Sequence, residues 1–336
     1  MKKILITVIA MLFVVAGCTN TSSSDKETGS SDGSWPVVIK HAFGETTIEK
    51  KPERVVSIQW ENQDVALALG VAPVAMSAPA YGLHDDQKMR PWTQEAYDTL
   101  GVEPIIFNDG DGLDFEAIAD AKPDVILAAY AGFSKEDYEL LSQIAPTIAY
   151  EKTPWMITWQ SQILQDAKGL GLEKEGKALV NDLEKQMASE VEKYPEFEGK
   201  SAVFTWFNPE DTSSFFVYGT GETRASYLQD FGLSLPKAVK SITDDSDVFY
   251  ATVSAEQAEI LNDADILVIY GDKDILDVLQ KDTLLSKIPA IANGAVVVLD
   301  DTTDFATANT TPTALSIPYA MKDYVKLLGK AAAKVK

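Results

Sequence analysis

Cysteine, histidine and arginine are the scarce residues of this chain: one, two and three of them in 336. Each scarcity closes off a class of chemistry. The lone thiol, Cys18, leaves no pair for an intramolecular disulfide and no thiolate set for a structural zinc. His41 and His84 each lack a second histidine at ligand spacing, so no zinc or manganese site is expected. With 29 basic against 51 acidic residues and a net charge of −22, the chain lacks the basic face that nucleic acid requires. G-x-S-x-G, Walker A and H-E-x-x-H patterns are missing. The acidic run 108–116 imitates a calcium loop. Counted from Asp109, however, its sixth position is Asp114 instead of Gly and its twelfth is Asp120 instead of Glu. Asp114 is read instead as the N-cap of a following helix. Among so many acids, a carboxylate pair of the glycosidase kind stays open.

What is present begins at the N-terminus. Lys2 and Lys3 precede an apolar run, Ile4–Ala16, that falls short of the ~20 residues needed to cross a bilayer. Charged start, short apolar core and small residues match a secretory signal over 1–17. Val15-Ala16-Gly17-Cys18 then has the form of a bacterial lipobox, in which the cysteine receives lipid and becomes the first mature residue. Cys18 is thus read as an anchor on the extracytoplasmic face of the cell membrane. Several acyl chains together hold such an anchor firmly. Residues 18–34 are rich in Ser, Thr and Gly and read as a flexible tether.

From Trp35 onward, apolar periodicity alternates between strand and helix. A hairpin is expected in Pro36–Glu49, strands at 55–58, 71–76 and 123–129, and helices at 62–69 and 115–121. Thr158–Tyr194 is helical throughout, broken by Gly169 and Gly171 into two helices, the second running from Glu173 to Tyr194. Strands return at 202–206, 215–218, 266–270 and 296–299, with helices at 227–231, 255–261 and 317–328. Such alternation predicts an α/β fold with parallel sheets. Residues 114–130 and 253–270 echo each other, as two similar lobes joined by a long helix would. The division expected is an N-terminal α/β lobe over 35–157, connecting helices over 158–197 and a C-terminal α/β lobe over 198–336.

The segments AFGETTIEKKPERVVSI, LALGVAPVAM, FEAIADAKPDVILA, SAEQAEILNDADILV and TPTALSIPYAMKDYV, in this order and spacing, resemble one family. It is the ferric-siderophore substrate-binding lipoproteins of bacterial ABC importers, whose relatives bind cobalamin and haem. The resemblance implies two parallel-sheet α/β lobes joined by one long helix, a ligand cleft between the lobes and little hinge motion. It implies a monomeric, non-enzymatic receptor that hands a ferric siderophore to permease subunits for iron uptake. Haem or cobalamin as the ligand, or an anchored hydrolase of wall sugars, are the alternatives. No cofactor is expected beyond the ferric complex itself.

Ligands of open parallel sheets lie beyond the carboxyl ends of the strands. There the sequence places Trp60, Tyr81, Tyr130, Trp206, Tyr218 and Tyr270, with Trp92 and Trp155 in or beside loops. An aromatic rim suits a large, rigid, partly apolar ligand. About half of these rings are expected to line the cleft and the rest to pack in the core. Arg54 reads as structural. Arg90 and Arg224 lie in loop-like stretches, facing either ligand or solvent. So few cations favour a hydroxamate complex over an anionic catecholate. Finally, the family presents an acidic residue near a helix start on each lobe for the permease. The matching positions are Asp64 in the first lobe and, since the second-lobe position is Ser226, Glu222 as its substitute.

Overall fold

The computed structural model describes residues 35–83, 87–243 and 249–336. Cys18, the expected signal and tether, and His84 lie outside them. A hairpin comes first, β1 (Val37–His41) paired antiparallel with β2 (Gly44–Ile48). Its period-two pattern turns Ile39, His41, Thr46 and Ile48 inward. Thr46 Oγ1 donates to the Thr147 carbonyl at 2.7 Å and fastens the hairpin to the first lobe.

That lobe runs β3 (Val55–Ser57), α1 (Gln63–Ala68), β4 (Ala75–Ser77), α2 (Pro91–Leu100), β5 (Ile105–Phe107), α3 (Phe115–Asp120), β6 (Val125–Leu127), α4 (Lys135–Ile144) and β7 (Thr147–Ile148). All its strands are parallel, in the order β5-β4-β3-β6-β7. The central strands VVS and VIL are wholly apolar or small because both sheet faces are covered. The chain winds outward from β3 to β5 and then returns to β6, so strand order reverses between β3 and β6. The crevice at that switch point is where a doubly wound sheet binds ligands. Arg54 is structural: Nη2 and Nε donate to the Ala121 carbonyl, and Nε also to that of Lys122, at the carboxyl end of α3. Asp114 caps α3, its side chain accepting from the Ala117 N–H at 2.9 Å.

Two helices follow, α5 (Trp159–Gly169) and α6 (Glu173–Val191). Gly171, at φ 70°, makes the left-handed turn between them. The second ends three residues before the expected Tyr194, ahead of a single 3₁₀ turn at Pro195–Phe197.

The second lobe contains β8 (Ala202–Phe207), β9 (Ser214–Tyr218), α7 (Thr223–Asp230), α8 (Lys237–Thr243), β10 (Tyr250–Ser254), β11 (Ile266–Tyr270), α9 (Ile275–Lys281), α10 (Pro289–Asn293), β12 (Val296–Leu299), α11 (Asp304–Thr310) and α12 (Ser316–Ala332). Its sheet, ordered β10-β9-β8-β11-β12, is mixed. Strands β8, β11 and β12 are parallel, whereas β9 runs antiparallel to both of its neighbours, β8 and β10. The expectation of two parallel sheets is corrected here. Residues 208–213 are too few for the crossover a parallel strand needs, so the chain turns straight back. The expected helix at 255–261 is a 3₁₀ stretch broken at Gln257.

Candidate ligand-binding cleft

The first-lobe wall grows from two loops at the switch point. After β3 the chain passes through Gln59 and Glu61, both at positive φ. Asn62 then ties this loop to the one after β6. Its Nδ2 donates to the carbonyls of Ile58 and Tyr130, and its Oδ1 accepts from the Tyr130 N–H at 2.9 Å. Gln59 adds a further tie, its Oε1 accepting from the Gly132 N–H at 2.8 Å. Left-handed non-glycine residues held by buried hydrogen bonds store strain, a feature that clusters at ligand sites. The loops gather four rings. Trp60 lies 5.0 Å from Trp155, 5.4 Å from Tyr81 and 5.5 Å from Tyr130, centroid to centroid. Trp60, Tyr81 and Trp155 are half-buried, while Tyr130 is buried behind them. Trp155, itself at φ 64°, rests on Gly132, where a Cβ would come within 2.2 Å of its ring.

The second-lobe wall centres on Arg224. Glu222 caps α7, accepting from the backbone N–H groups of Arg224 and Ala225. Its other oxygen takes the Arg224 Nε at 2.7 Å, and Arg224 Nη1 donates to the Tyr270 hydroxyl at 2.6 Å. The guanidinium lies 4.6 Å from the Tyr218 ring centre and 5.4 Å from that of Phe249. Burial works against the Arg224 charge. Glu222 and the surrounding tyrosines, Tyr81 and Tyr130 of the other lobe among them, outweigh it and hold the guanidinium well above its ordinary pKa. Burial pushes the Glu222 carboxyl up, while Arg224 pulls it down. Beyond Tyr218 a flat stack continues, Trp206 on Phe216 at 5.0 Å and Phe216 on Tyr250 at 4.3 Å. Sequence reasoning missed Phe216, Phe249 and Tyr250. The signal was available for Phe216, which shares a face of β9 with Tyr218 through the period of two.

The lobes meet directly. The Tyr81 hydroxyl lies 2.7 Å from Thr311 Oγ1, Thr223 Oγ1 donates to the Ile157 carbonyl at 2.6 Å, and Thr313 Oγ1 donates to Asp64 Oδ2 at 2.6 Å. Trp60, Tyr81, Tyr130 and Trp155 are thus gathered on one side, and Trp206, Tyr218, Arg224 and Tyr270 on the other.

Four expected residues are placed elsewhere. Arg90 is buried, its Nε on Glu61 at 3.0 Å and its terminal nitrogens on the carbonyls of Gly82 and Tyr81. It braces the Tyr81 turn and presents nothing to a ligand. Trp92 is buried in the first turn of α2, beside the preceding loop, with its Nε1 on Asp64 Oδ2 and its ring against Tyr319. Asp64 and Glu222 are each 0% exposed. A carboxylate sealed from solvent cannot pair with an arginine of another protein, so their assignment to permease docking is withdrawn. Among the described residues no cluster of three or more His, Cys, Asp or Glu is arranged to hold a metal ion.

Comparison with known proteins places this architecture. Among solved structures, PiaA of Streptococcus pneumoniae TIGR4 in complex with ferrichrome superposes with a TM-score of 0.85 at 47% identity, covering 89% of this chain and 100% of that one. Among curated proteins, the putative ABC transporter substrate-binding lipoprotein YhfQ of Bacillus subtilis is 27% identical over 89% of this chain and 91% of its own length. The Fe(3+)-citrate-binding protein YfmC of the same organism is 28% identical over 85% of each. The pattern of the periplasmic binding protein family matches residues 55–303, so the chain belongs to that family.

Proposed function

We propose that this protein is the receptor of an ABC importer and takes a ferric hydroxamate siderophore into the cleft between its lobes. The observation that carries the reading is the charge of the cleft. Among the described residues the one arginine on its walls is already matched by the buried Glu222, and the aromatic rings of Trp60, Tyr81, Trp155 and Tyr218 accompany it. A ferric trishydroxamate is neutral and fits such a site, whereas a ferric triscatecholate brings negative charge that a paired guanidinium does not meet. The ferrichrome bound by PiaA supports the same chemistry. Among the described residues the one histidine, His41, has its ring engaged within the hairpin and offers haem no ligand.

The lobe surfaces offer docking carboxylates other than those first expected. Glu116 and Glu256 are exposed, each in the first turn of its helix, within the two segments that echo each other in sequence. We assign to them the contact with permease subunits. Lipid on Cys18 would hold the protein at the outer face of the membrane, in keeping with relatives named as lipoproteins.

Quenching of Trp60 and Trp155 fluorescence tests the ligand. Ferrichrome is expected to saturate the signal at or below low micromolar concentration, with weaker responses to a ferric catecholate, ferric citrate and haem. Strong binding of the catecholate without ferrichrome binding overturns the hydroxamate assignment.

A further inference from the structure

Behind the cleft, the seam between the lobes buries two carboxylates against one guanidinium. Asp64 on α1 accepts from Trp92 Nε1 at 2.9 Å and Thr313 Oγ1 at 2.6 Å on Oδ2, and from Thr93 Oγ1 at 2.8 Å on Oδ1. Thr313 belongs to the second lobe. Its oxygen accepts from the backbone N–H groups of Ser316 at 3.0 Å and Leu315 at 3.3 Å, at the start of α12. Its single proton therefore points at Asp64. Glu61, also buried, stands beside this group. Gln63 Nε2 donates to Glu61 Oε2 at 2.8 Å and reaches Asp64 Oδ1 at 3.5 Å. Arg90 gives its Nε to Glu61 and its other nitrogens to backbone carbonyls. Arg90 is thereby spent on Glu61, and the Asp64 carboxyl, sealed from solvent with a second acid beside it, is left without a cation of its own.

We propose that Asp64 is a positioning residue of the cleft: through Thr313 it clamps the first lobe to α12, and the closed clamp favours Asp64 in its protonated form. Burial first, and then Glu61, push the Asp64 carboxyl up to about 7, while Thr313, Thr93 and Trp92 pull the other way. The other titratable groups facing it are Arg90, ahead of α2, and Tyr97 within α2. If the seam opens, water reaches Asp64 and its pKa falls toward the ordinary 3.8. The closed seam has the higher pKa, so protonation favours closure. That preference is complete below the open-state value and is lost as pH rises through about 7. Tyr81 moves with the seam, because Arg90 holds its carbonyl and Thr311 its hydroxyl. Ligand retention follows.

The ligand readout rests on the receptor reading above; the melting readout does not. The full chain is melted between pH 6 and 8, and ferrichrome release is timed over the same range. The wild type is expected to lose melting temperature and release ferrichrome faster toward pH 8, by at most about tenfold per pH unit. Asp64→Asn flattens both profiles. Thr313→Val lowers the melting temperature and speeds release, and Thr313→Ser restores both. Asp64→Asn profiles parallel to wild type, or a Thr313→Val protein indistinguishable from wild type, overturn the clamp. A flattened melting profile in a chain that never binds ferrichrome keeps the clamp and rejects the ligand.

Discussion

Glu222 grips Arg224 at both ends of the residue: Oε2 accepts the backbone N–H at 3.0 Å and Oε1 accepts the side-chain Nε at 2.7 Å. One carboxylate thus starts α7 and also aims the guanidinium at Tyr270. The arginine is rigid before any ligand arrives, and preorganisation of this kind lowers the cost of binding.

Glu222→Gln keeps an acceptor for the helix cap but leaves Arg224 uncompensated. The cleft gains one positive charge, so selectivity is expected to move toward anionic ferric catecholates and away from ferrichrome. Arg224→Ala is harsher. It strands a buried carboxylate, which costs about 3–5 kcal/mol of stability. Paired titrations and thermal melts of the two variants check both outcomes.

Gly132→Ala probes the opposite wall. Its methyl would come within 2.2 Å of the Trp155 ring, so the indole must shift away from Trp60. Overpacking of this kind costs about 1–3 kcal/mol. Ferrichrome affinity is expected to fall about tenfold, equivalent to ~1.4 kcal/mol. Unchanged affinity and tryptophan emission would remove Trp155 from the ligand wall.

Glu116→Lys and Glu256→Lys address docking. Each is expected to leave ferrichrome affinity unchanged and to lower uptake in cells, the double variant most. Interfacial charge pairs contribute more than exposed ones, so a reversed charge is felt strongly. Normal uptake by the double variant would clear both residues from the permease contact.

His41 gives the hairpin an acid limit. Its Nδ1 accepts from the Phe43 N–H and its Nε2 lies 2.9 Å from Thr46 Oγ1. Burial lowers its pKa below the ordinary 6.5, so the native state prefers the neutral ring. The stability this provides is present above 6.5 and is lost as pH falls below it toward the lowered native value. Hydrogen exchange should show β1 and β2 losing protection at pH 5 relative to pH 7, after correction for intrinsic rates. His41→Phe should remove the difference.

Where the aromatic rings of the candidate cleft stand relative to the strands was legible in the sequence because strand ends announce themselves. An apolar run followed by a large aromatic places that ring just past a strand, as with Trp60 and Tyr130, or at its last residues, as with Trp206 and Tyr270. The run after β9 was harder to read. Phe216 sits inside β9, and Phe249 precedes and Tyr250 opens β10, a strand that the apolar pattern does not reveal, its burial alternating weakly.

By itself, the sequence determined the features that depend on neighbours along the chain. The α/β alternation, the Asp114 cap and the turn at Gly171 follow from periods of two and 3.6 and from backbone dihedrals. The tertiary structure alone decided direction and exposure. It turned Arg90 inward to brace Tyr81 and buried Asp64 under a threonine 249 positions away in the chain. Whether a carboxylate faces water or a hydroxyl depends on which distant segments pack over it, and no local pattern carries that information.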